Sequence, residues 1–572
     1  MRRPSETAEP NSTGHPHWIT VQSTRTVLIV VHTMTAWNRL ADILPIFESD
    51  RRIQLMFTFP NVSHVTGDVE RQLAADGAVV IPWARALSDK FDLALSVHHS
   101  GDLHSISAPL AVMSHGIGYT KLARSEKREA RSEKREARSV YGLSRDWLLH
   151  DGIAPDAIIL PNEQDRKRLA ASAPEALPHA VVAGDPCLDR MLASRSSRPE
   201  FRGALDAPPD SKLVTVSSTW GPKSLLGQYP ELIDDLLSEL SCDEHVVAAI
   251  VHPNAWFAHG PYQVRLWLAN ALRSGLRLIP PLSGWQQTIV ASDVVVGDFG
   301  AVTGYAAALG IPTLLATHPR DEVAPDSIMD LLGRTAPTLH TSQPLAEQIT
   351  KAATEFDPGA LTGVAALASS VPGESAHLLR SEAYRLLNLP EPDHSAVVIP
   401  YEASGLTPTT DRLRACRIAL TWDSDTEATA VRWPADVTPA PRRGARSTDT
   451  LLAAHADHPR RDIRGNADIV VVECETETAH AELEKLLQDR PACSVAVTTT
   501  PDGLTVMRFR DGRTARAETV PAIDMPMGAA LVAAIGHDRL VSATRSDTAH
   551  IHLTIGSRRI AVRLSHIGGR DR

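Results

Sequence analysis

The strongest constraint on this chain is a recurrence. Over the first four hundred or so residues, short runs of apolar, largely β-branched residues alternate with longer stretches of helical period. The early runs are VLIVV (27–31), IQLMFTF (53–59), AVVIP (78–82), LALSV (93–97), LAVMS (110–114), AIIL (157–160) and AVVAG (180–184). Runs that are apolar on both faces suit strands of a parallel sheet covered by helices on each side. Strand-then-helix alternation implies right-handed crossovers and a doubly wound α/β unit. A second series predicts a second such unit: KLVTVSS (212–218), HVVAAIVH (245–252), LRLIP (276–280), DVVVGD (293–298) and PTLLA (312–316). Between them SSRPEFRGALDAPPDSK (196–212) is rich in Ser, Pro and Gly and reads as a linker. The expected fold class is α/β, with two facing Rossmann-like lobes over residues 24–198 and 199–390.

The rest of the chain reads differently. Residues 1–23 are polar and Pro-containing, and read as a disordered tail. Residues 391–572 open a segment of another kind. A breaker-rich passage makes 434–466 a flexible stretch. Runs at 468–475, 494–500, 504–510, 550–555 and 559–564, with a helix near 477–488, predict a small α+β domain of antiparallel strands. Its role is not legible in its residues.

Charge and cysteine usage exclude some functions. A net charge of −10 argues against a general nucleic-acid binder, which needs a basic surface to displace counterions. The five cysteines are scattered, with no pair at metal-ligand spacing, and read as reduced cytosolic thiols. No apolar run approaches the roughly 20 residues that span a bilayer, and no apolar stretch follows the N-terminal arginines. The expectation is a cytoplasmic protein whose only membrane contact is peripheral, at the inner face. One segment could supply that contact. ARSEKRE occurs twice in tandem (123–129 and 130–136), and Lys121 to Arg138 carries eight positive and four negative side chains. The insertion 121–139 reads either as a solvated helical excursion or as a basic arm for anionic polymer or lipid headgroups.

In open α/β sheets, ligands sit at the carboxyl ends of strands, so the residues that follow each run are the candidates. After LAVMS comes SHGIGYTK (114–121). His115 there is either a general base or a histidine satisfied in a tight turn, and Gly116 allows close backbone approach. After HVVAAIVH, His252 and Pro253 offer a phosphate or leaving-group contact, or a plain helix cap. After KLVTVSS, the residues Ser217, Ser218, Thr219, Trp220 and Lys223 precede a helix, where hydroxyls and free N–H groups bind anions or serve as ordinary caps. After DVVVGD, Asp298 and Gly300 open a helix carrying Thr303 and Gly304 in its first turn. Its positive end could face a phosphate, and Asp298 could cap the helix or bind a hydroxyl. No GxGxxG follows the first strand, there is no Walker A motif, and no His or acid cluster has metal spacing. No metal and no cofactor are expected.

Five segments in order, SHGIGYTK, AGDPCLDRM, SSTWGP, VHPNAW and SDVVVGDFGAVTGYAAALGIP, resemble the CDP-glycerol glycerophosphotransferase family of teichoic-acid polymerases and primases. The resemblance covers roughly residues 90–320. It implies a GT-B-like fold, with residues 24–198 as the acceptor-side lobe and residues 199–390 as the donor-nucleotide lobe. It implies that His115 matches the family's base, that Gly184, Pro186 and Asp189 match a Gly-x-Pro-x-x-Asp stretch at the lobe junction, and that Thr219 and Trp220 match a Pro-Thr-Trp-Arg stretch. His252 and Pro253 match a His-Pro pair. Of an Asp-Tyr-Ser-Ser stretch that grips donor phosphate, only Asp298 and Phe299 have counterparts. Gly300 and Ala301 stand where that family has its two serines. Lys121 is the candidate for the family's lysine.

The reading that follows is a metal-independent transferase. It would move a glycerophosphate-like or glycosyl unit from a nucleotide-linked donor, a CDP-alcohol or NDP-sugar, to a hydroxyl acceptor. His115 would be the base, with His252 and the helix after Asp298 on the donor phosphates. The alternatives are a non-catalytic sensor of a nucleotide-linked ligand and a nucleotide-sugar 2-epimerase-like enzyme.

Overall fold

In a computed structural model, residues 21–60, 64–75, 77–123, 139–438, 450–542 and 548–567 are described. Residues 1–20 of the N-terminal tail, nearly all of the basic repeat and 439–449 of the breaker-rich passage lie outside them.

The apolar runs of the first lobe become β1 (Arg25–Val30), β2 (Ile53–Thr58), β3 (Leu93–Ser96), β4 (Leu110–Met113), β5 (Ala157–Leu160) and β6 (Ala180–Val182). They form one sheet in the order β2-β1-β3-β4-β5-β6, and every pairing is parallel. Val27 to Val31 are fully buried, as residues covered on both faces must be. The run at 78–82 makes only a single bridge, Val80 to Phe57. Pro82, which has no N–H to give a ladder, caps the helix Trp83–Ser88 instead.

The second series becomes β7 (Lys212–Ser218), β8 (His245–Val251), β9 (Arg277–Leu278), β10 (Val294–Gly297) and β11 (Thr313–Leu315). Their order is β11-β10-β7-β8-β9, again parallel throughout. In each sheet the winding reverses beside its first strand, between β1 and β3 and between β7 and β10. Those reversals open crevices at the carboxyl ends of the strands. Together the lobes make a pair of Rossmann-like units facing one cleft.

Two segments depart from the sequence expectation. The presumed linker 196–212 holds the helix Arg198–Ala204, whose Phe201 is fully buried in the core of the second lobe. Pro199 sits in the first turn, where its missing N–H costs nothing. Arg202 pairs with Asp293 at 2.8 Å and donates to the carbonyls of Pro208 and Ser211. The helix Ser375–Leu386, in the stretch expected to end the second lobe, crosses back instead. Leu379, Ala383 and Tyr384 pack with Val27 and Ile29 of the first lobe, and the Tyr384 hydroxyl donates to Asp50 at 2.7 Å.

The C-terminal region corrects the sequence reading most. It is not a small α+β domain but a closed barrel of β12 (Ala415–Trp422), β13 (Glu427–Pro434), β14 (Leu451–His455), β15 (Ile469–Val471), β16 (Val495–Thr499), β17 (Thr505–Phe509), β18 (Thr514–Val520), β19 (Thr548–Ile555) and β20 (Arg558–Ile567). The order is β12-β13-β19-β20-β18-β17-β16-β15-β14, and β14 closes on β12. Three parallel pairings, β13/β19, β14/β15 and β15/β16, interrupt the antiparallel ladder. The helix Gly528–Ser542 is buried among inward residues from around the barrel, with Ala530 to Ile535 at most 1% exposed. Its run of alanines and glycines gives it the slim girth this needs. A β-carbon on Gly536 would lie 3.0 Å from the Met507 sulfur. Residues 451–455 and 461–465, in the stretch expected to be flexible, form β14 and a short helix. Pairing on both edges of β14 outweighs the local composition.

The barrel docks on the second lobe. Arg432 of β13 forms a buried pair with Asp243, and the Trp433 indole donates to the Glu239 carbonyl at 3.1 Å. Asp436 accepts from Arg273 at 2.8 Å and lies 2.9 Å from His458. No described helix is long and apolar enough to cross a membrane.

Candidate functional site

A cleft of about 490 Å³ lies between the two lobes, at the carboxyl ends of both sheets. Of the residues singled out from sequence, His115, Gly116, Ser218, Thr219, Trp220, His252 and Gly300 line it. Asp298, Thr303, Gly184, Pro186 and Asp189 do not.

On the second lobe the geometry assigns His252 a tautomer. His252 is the N-cap of the helix Pro253–His259, and its Nδ1 accepts the Asn254 N–H at 3.1 Å. A neutral ring accepting at Nδ1 carries its proton on Nε2, so that edge is a donor. Burial, with Lys121 and His115 nearby, pushes its pKa down to about 3. In the same cleft, Gly300 caps the helix Ala301–Ala308 without any side-chain bond, and Ala301 and Val302 of its first turn, whose N–H groups have no partner within the helix, line the cleft. Such a helix end suits a phosphate.

Asp298 holds this end in place. Its carboxylate is fully buried and accepts from the N–H groups of Thr219 (2.8 Å), Leu225 (3.0 Å) and Gly300 (2.9 Å). Burial pushes its pKa up to about 6 against those donors. It therefore organises the loops after β7 and β10 rather than touching a ligand. Ser218 is similarly occupied: its hydroxyl donates to the Thr219 carbonyl and accepts from Leu226 N–H, both at 3.1 Å. Thr303 is fully buried beneath Gly297, where a β-carbon would come 2.2 Å from the Thr303 Oγ1. Its hydroxyl lies too deep to present itself at the helix end beside Gly300 and Ala301. Trp220 faces first-lobe Lys121, whose ammonium lies 5.4 Å from the indole and 5.6 Å from the Phe299 ring.

On the first lobe, His115 follows β4 and abuts the second lobe directly. A β-carbon on Gly116 would meet the Ala301 β-carbon at 3.4 Å. Burial lowers the His115 pKa to about 4, assisted by Lys121, Arg39 and His32, while a hydrogen bond to the Val97 backbone opposes the shift. The ring is therefore neutral, and a neutral imidazole carries a lone pair on one of its two nitrogens.

Sequence reasoning missed the neighbours of His115. Three imidazoles are stacked: His32 on His98 at 4.9 Å between centroids, and His98 on His115 at 5.6 Å. His32 and His98 follow β1 and β3, the strands that flank the first reversal. Position after a strand was therefore a signal for them too, as it was for His115. Burial pushes His98 to about 2 and His99 to about 3. Among the described residues, no group of three His, Cys, Asp or Glu could hold a metal ion.

The junction residues support the cleft from behind. Gly184 adopts φ +74°, and a β-carbon there would strike the Ser369 hydroxyl at 2.8 Å. Pro186 begins the helix Pro186–Ala193. Asp189 accepts from the N–H groups of Gly373 and Ser375 and from the Ser375 hydroxyl, fixing the start of the crossover helix. Asp185, between them and unremarked in the sequence, is the junction's centre. Arg39 grips it with two bonds at 2.7 and 2.8 Å, and second-lobe Tyr305 donates to it at 2.9 Å.

No family model matches the chain, and no curated protein matches it. Solved structures similar to it include the wall teichoic acid polymerase TagF, at 14% identity over 64% of this chain and 90% of that one, with a TM-score of 0.46. Staphylococcus aureus MnaA with UDP is similar at 14% identity, over 65% of this chain and all of that one, with a TM-score of 0.40. Anabaena HepE with UDP and glucose is similar at 15% identity, over 64% of this chain and all of that one, with a TM-score of 0.39. These are likenesses to the chain, and none assigns it an activity.

Proposed function

We propose that this chain is a GT-B-type transferase that moves a glycerophosphate-like or glycosyl unit from a nucleotide-linked donor to an acceptor hydroxyl. The observation that carries the reading is one cleft holding His115 from the first lobe opposite His252 and the open helix end at Gly300 from the second. His115, neutral at physiological pH, takes the acceptor's proton as the new bond forms to the transferred unit. The bond from that unit to the nucleotide phosphate breaks, and the leaving phosphate gains negative charge. The His252 Nε2–H and the N–H groups after Gly300 donate to that charge where it develops. A bound donor also brings negative charge close to His115, which raises its basicity when it is needed.

The test is incubation with CDP-glycerol and with UDP- and GDP-sugars, reading release of free nucleotide. On whichever donor turns over, His115→Ala is expected to slow release about 10²–10⁴-fold. Undiminished turnover by that variant would sink the mechanism. One observation favours a second reading, a non-catalytic sensor: Gly300 and Ala301 supply no hydroxyls to the helix end. The sensor predicts melting stabilisation by a nucleotide ligand without any release.

A further inference from the structure

The first-lobe half of the cleft has a chemistry of its own. The antiparallel pairing of residues 121–123 with 139–141 brings Tyr141 to His98, and the Tyr141 N–H donates to the Lys121 carbonyl at 3.0 Å. His98 Nδ1 lies 2.7 Å from the Ser100 hydroxyl and 3.2 Å from the Ser100 backbone N–H, and because that N–H can only donate, Nδ1 is the acceptor of both. The neutral ring therefore carries its proton on Nε2, which lies 3.0 Å from the Tyr141 hydroxyl oxygen. With that oxygen accepting from His98, the phenol's own proton is left to donate into the cleft. Burial keeps the phenol protonated, at about 12. Trp147 stands edge-on to Tyr141 at 4.5 Å and lines the same wall.

Two more polar atoms there are buried without a partner, His99 Nε2 and the Tyr119 hydroxyl. Tyr119 is only 3% exposed, and both residues line the cleft. Buried polar groups without a protein partner mark places where a ligand can supply one. Among the described residues, formal positive charge is scarce on this wall. Among the described residues, the cations lining the cleft are Arg39 and Lys121. Arg39 is held by Asp185, and Lys121 reaches across to Trp220 and Phe299. The wall thus offers neutral hydrogen-bonding groups and aromatic edges, which suit hydroxyls and C–H faces better than a phosphate.

We propose that the first-lobe end of the cleft is the acceptor subsite for an uncharged polyhydroxyl compound, and that Tyr141 donates to one of its oxygens. The proposal rests on the transferase reading in naming its acceptor. His98 acts through Tyr141 and is a positioning residue.

Saturation-transfer NMR on the full chain with methyl α-glucoside, glycerol and glycerol 3-phosphate tests it. The neutral probes are expected to bind more tightly than the phosphate. Tyr141→Phe is expected to weaken them about five- to tenfold, the worth of one neutral hydrogen bond. His98→Gln, which keeps an N–H for Tyr141, should retain affinity that His98→Leu loses. Preference for glycerol 3-phosphate, no binding of either neutral probe at millimolar concentration, or undiminished binding by Tyr141→Phe would overturn the proposal. Melting shifts with CDP and UDP, run on the same variants, report the donor side separately. Loss of nucleotide binding in the unaltered protein would remove the transferase reading while leaving the sugar result to stand. An unchanged melting temperature shows that a variant is folded.

Discussion

At the scale of the residue, the cleft is distinctive for imidazoles held neutral by burial. His98, His99, His115 and His252 all have lowered pKa values, at about 2, 3, 4 and 3. The unfolded chain takes up protons on these groups near pH 6.5, while the folded one refuses them until much lower pH. Stability is therefore intact above about pH 6.5 and falls as the pH drops below it. The loss is at most about 1.4 kcal/mol per pH unit for each histidine. Chemical denaturation at a series of pH values measures that slope, and a flat profile between pH 7 and 5 would contradict it. Introducing a serine distinguishes positions 300 and 301. A β-carbon on Gly300 would crowd Asp298 Oδ1 at 3.0 Å and the Thr219 β-carbon at 3.2 Å. Gly300→Ser should thus lower the melting temperature. Ala301→Ser already has space for its β-carbon at the helix end, and its hydroxyl adds a donor there. It should raise the affinity for a nucleoside diphosphate several-fold by calorimetry, about one hydrogen bond's worth.

At the scale of the element, helix ends and strand ends do the positioning. The helix Ala301–Ala308 can point free N–H groups at the cleft because Asp298 satisfies the loop behind it. The helix Gly528–Ser542 shows another use of small residues, close burial inside the barrel. Gly536→Leu has no room beside Met507 and Phe509, since even a β-carbon comes to 3.0 Å of the sulfur. It should destabilise the barrel by about 1–3 kcal/mol, as overpacking does. Urea unfolding, followed through Trp422 and Trp433 fluorescence, would show it. The nucleotide-induced melting shift of the lobes is expected to persist, because no described barrel residue lines the cleft.

At the scale of the molecule, the barrel is joined to the second lobe through buried charge. The Arg432 side chain is 2% exposed and that of Asp243 8%. Arg432→Leu leaves the Asp243 carboxylate buried and unpaired, which costs about 3–5 kcal/mol. Scanning calorimetry should show a lower-temperature transition split from the main one. A single unshifted transition would mean that the junction is held elsewhere. The same pair shows what packing adds to sequence, since 189 residues separate its members.

The runs that opened the sequence reading were legible because parallel strands are apolar on both faces, and a continuous run such as Val27 to Val31 needs no partner to be seen. Both lobes follow from that, as do His115 and His252, because strand ends mark ligand crevices wherever the strands lie. The barrel was not legible. β12, β13 and β18 carry charged residues among their buried ones, as in Arg417 and Arg432, and their closure depends on pairings between distant segments. The imidazole stack was not legible either, since His32, His98 and His115 meet only where β1, β3 and β4 lie side by side. Local periodicity and strand ends are properties of a segment and were determined by sequence alone. Which strand ends share a cleft, which carboxylate is spent on backbone donors and which hydroxyl stays free depend on contacts between distant segments, and only the tertiary structure decided them.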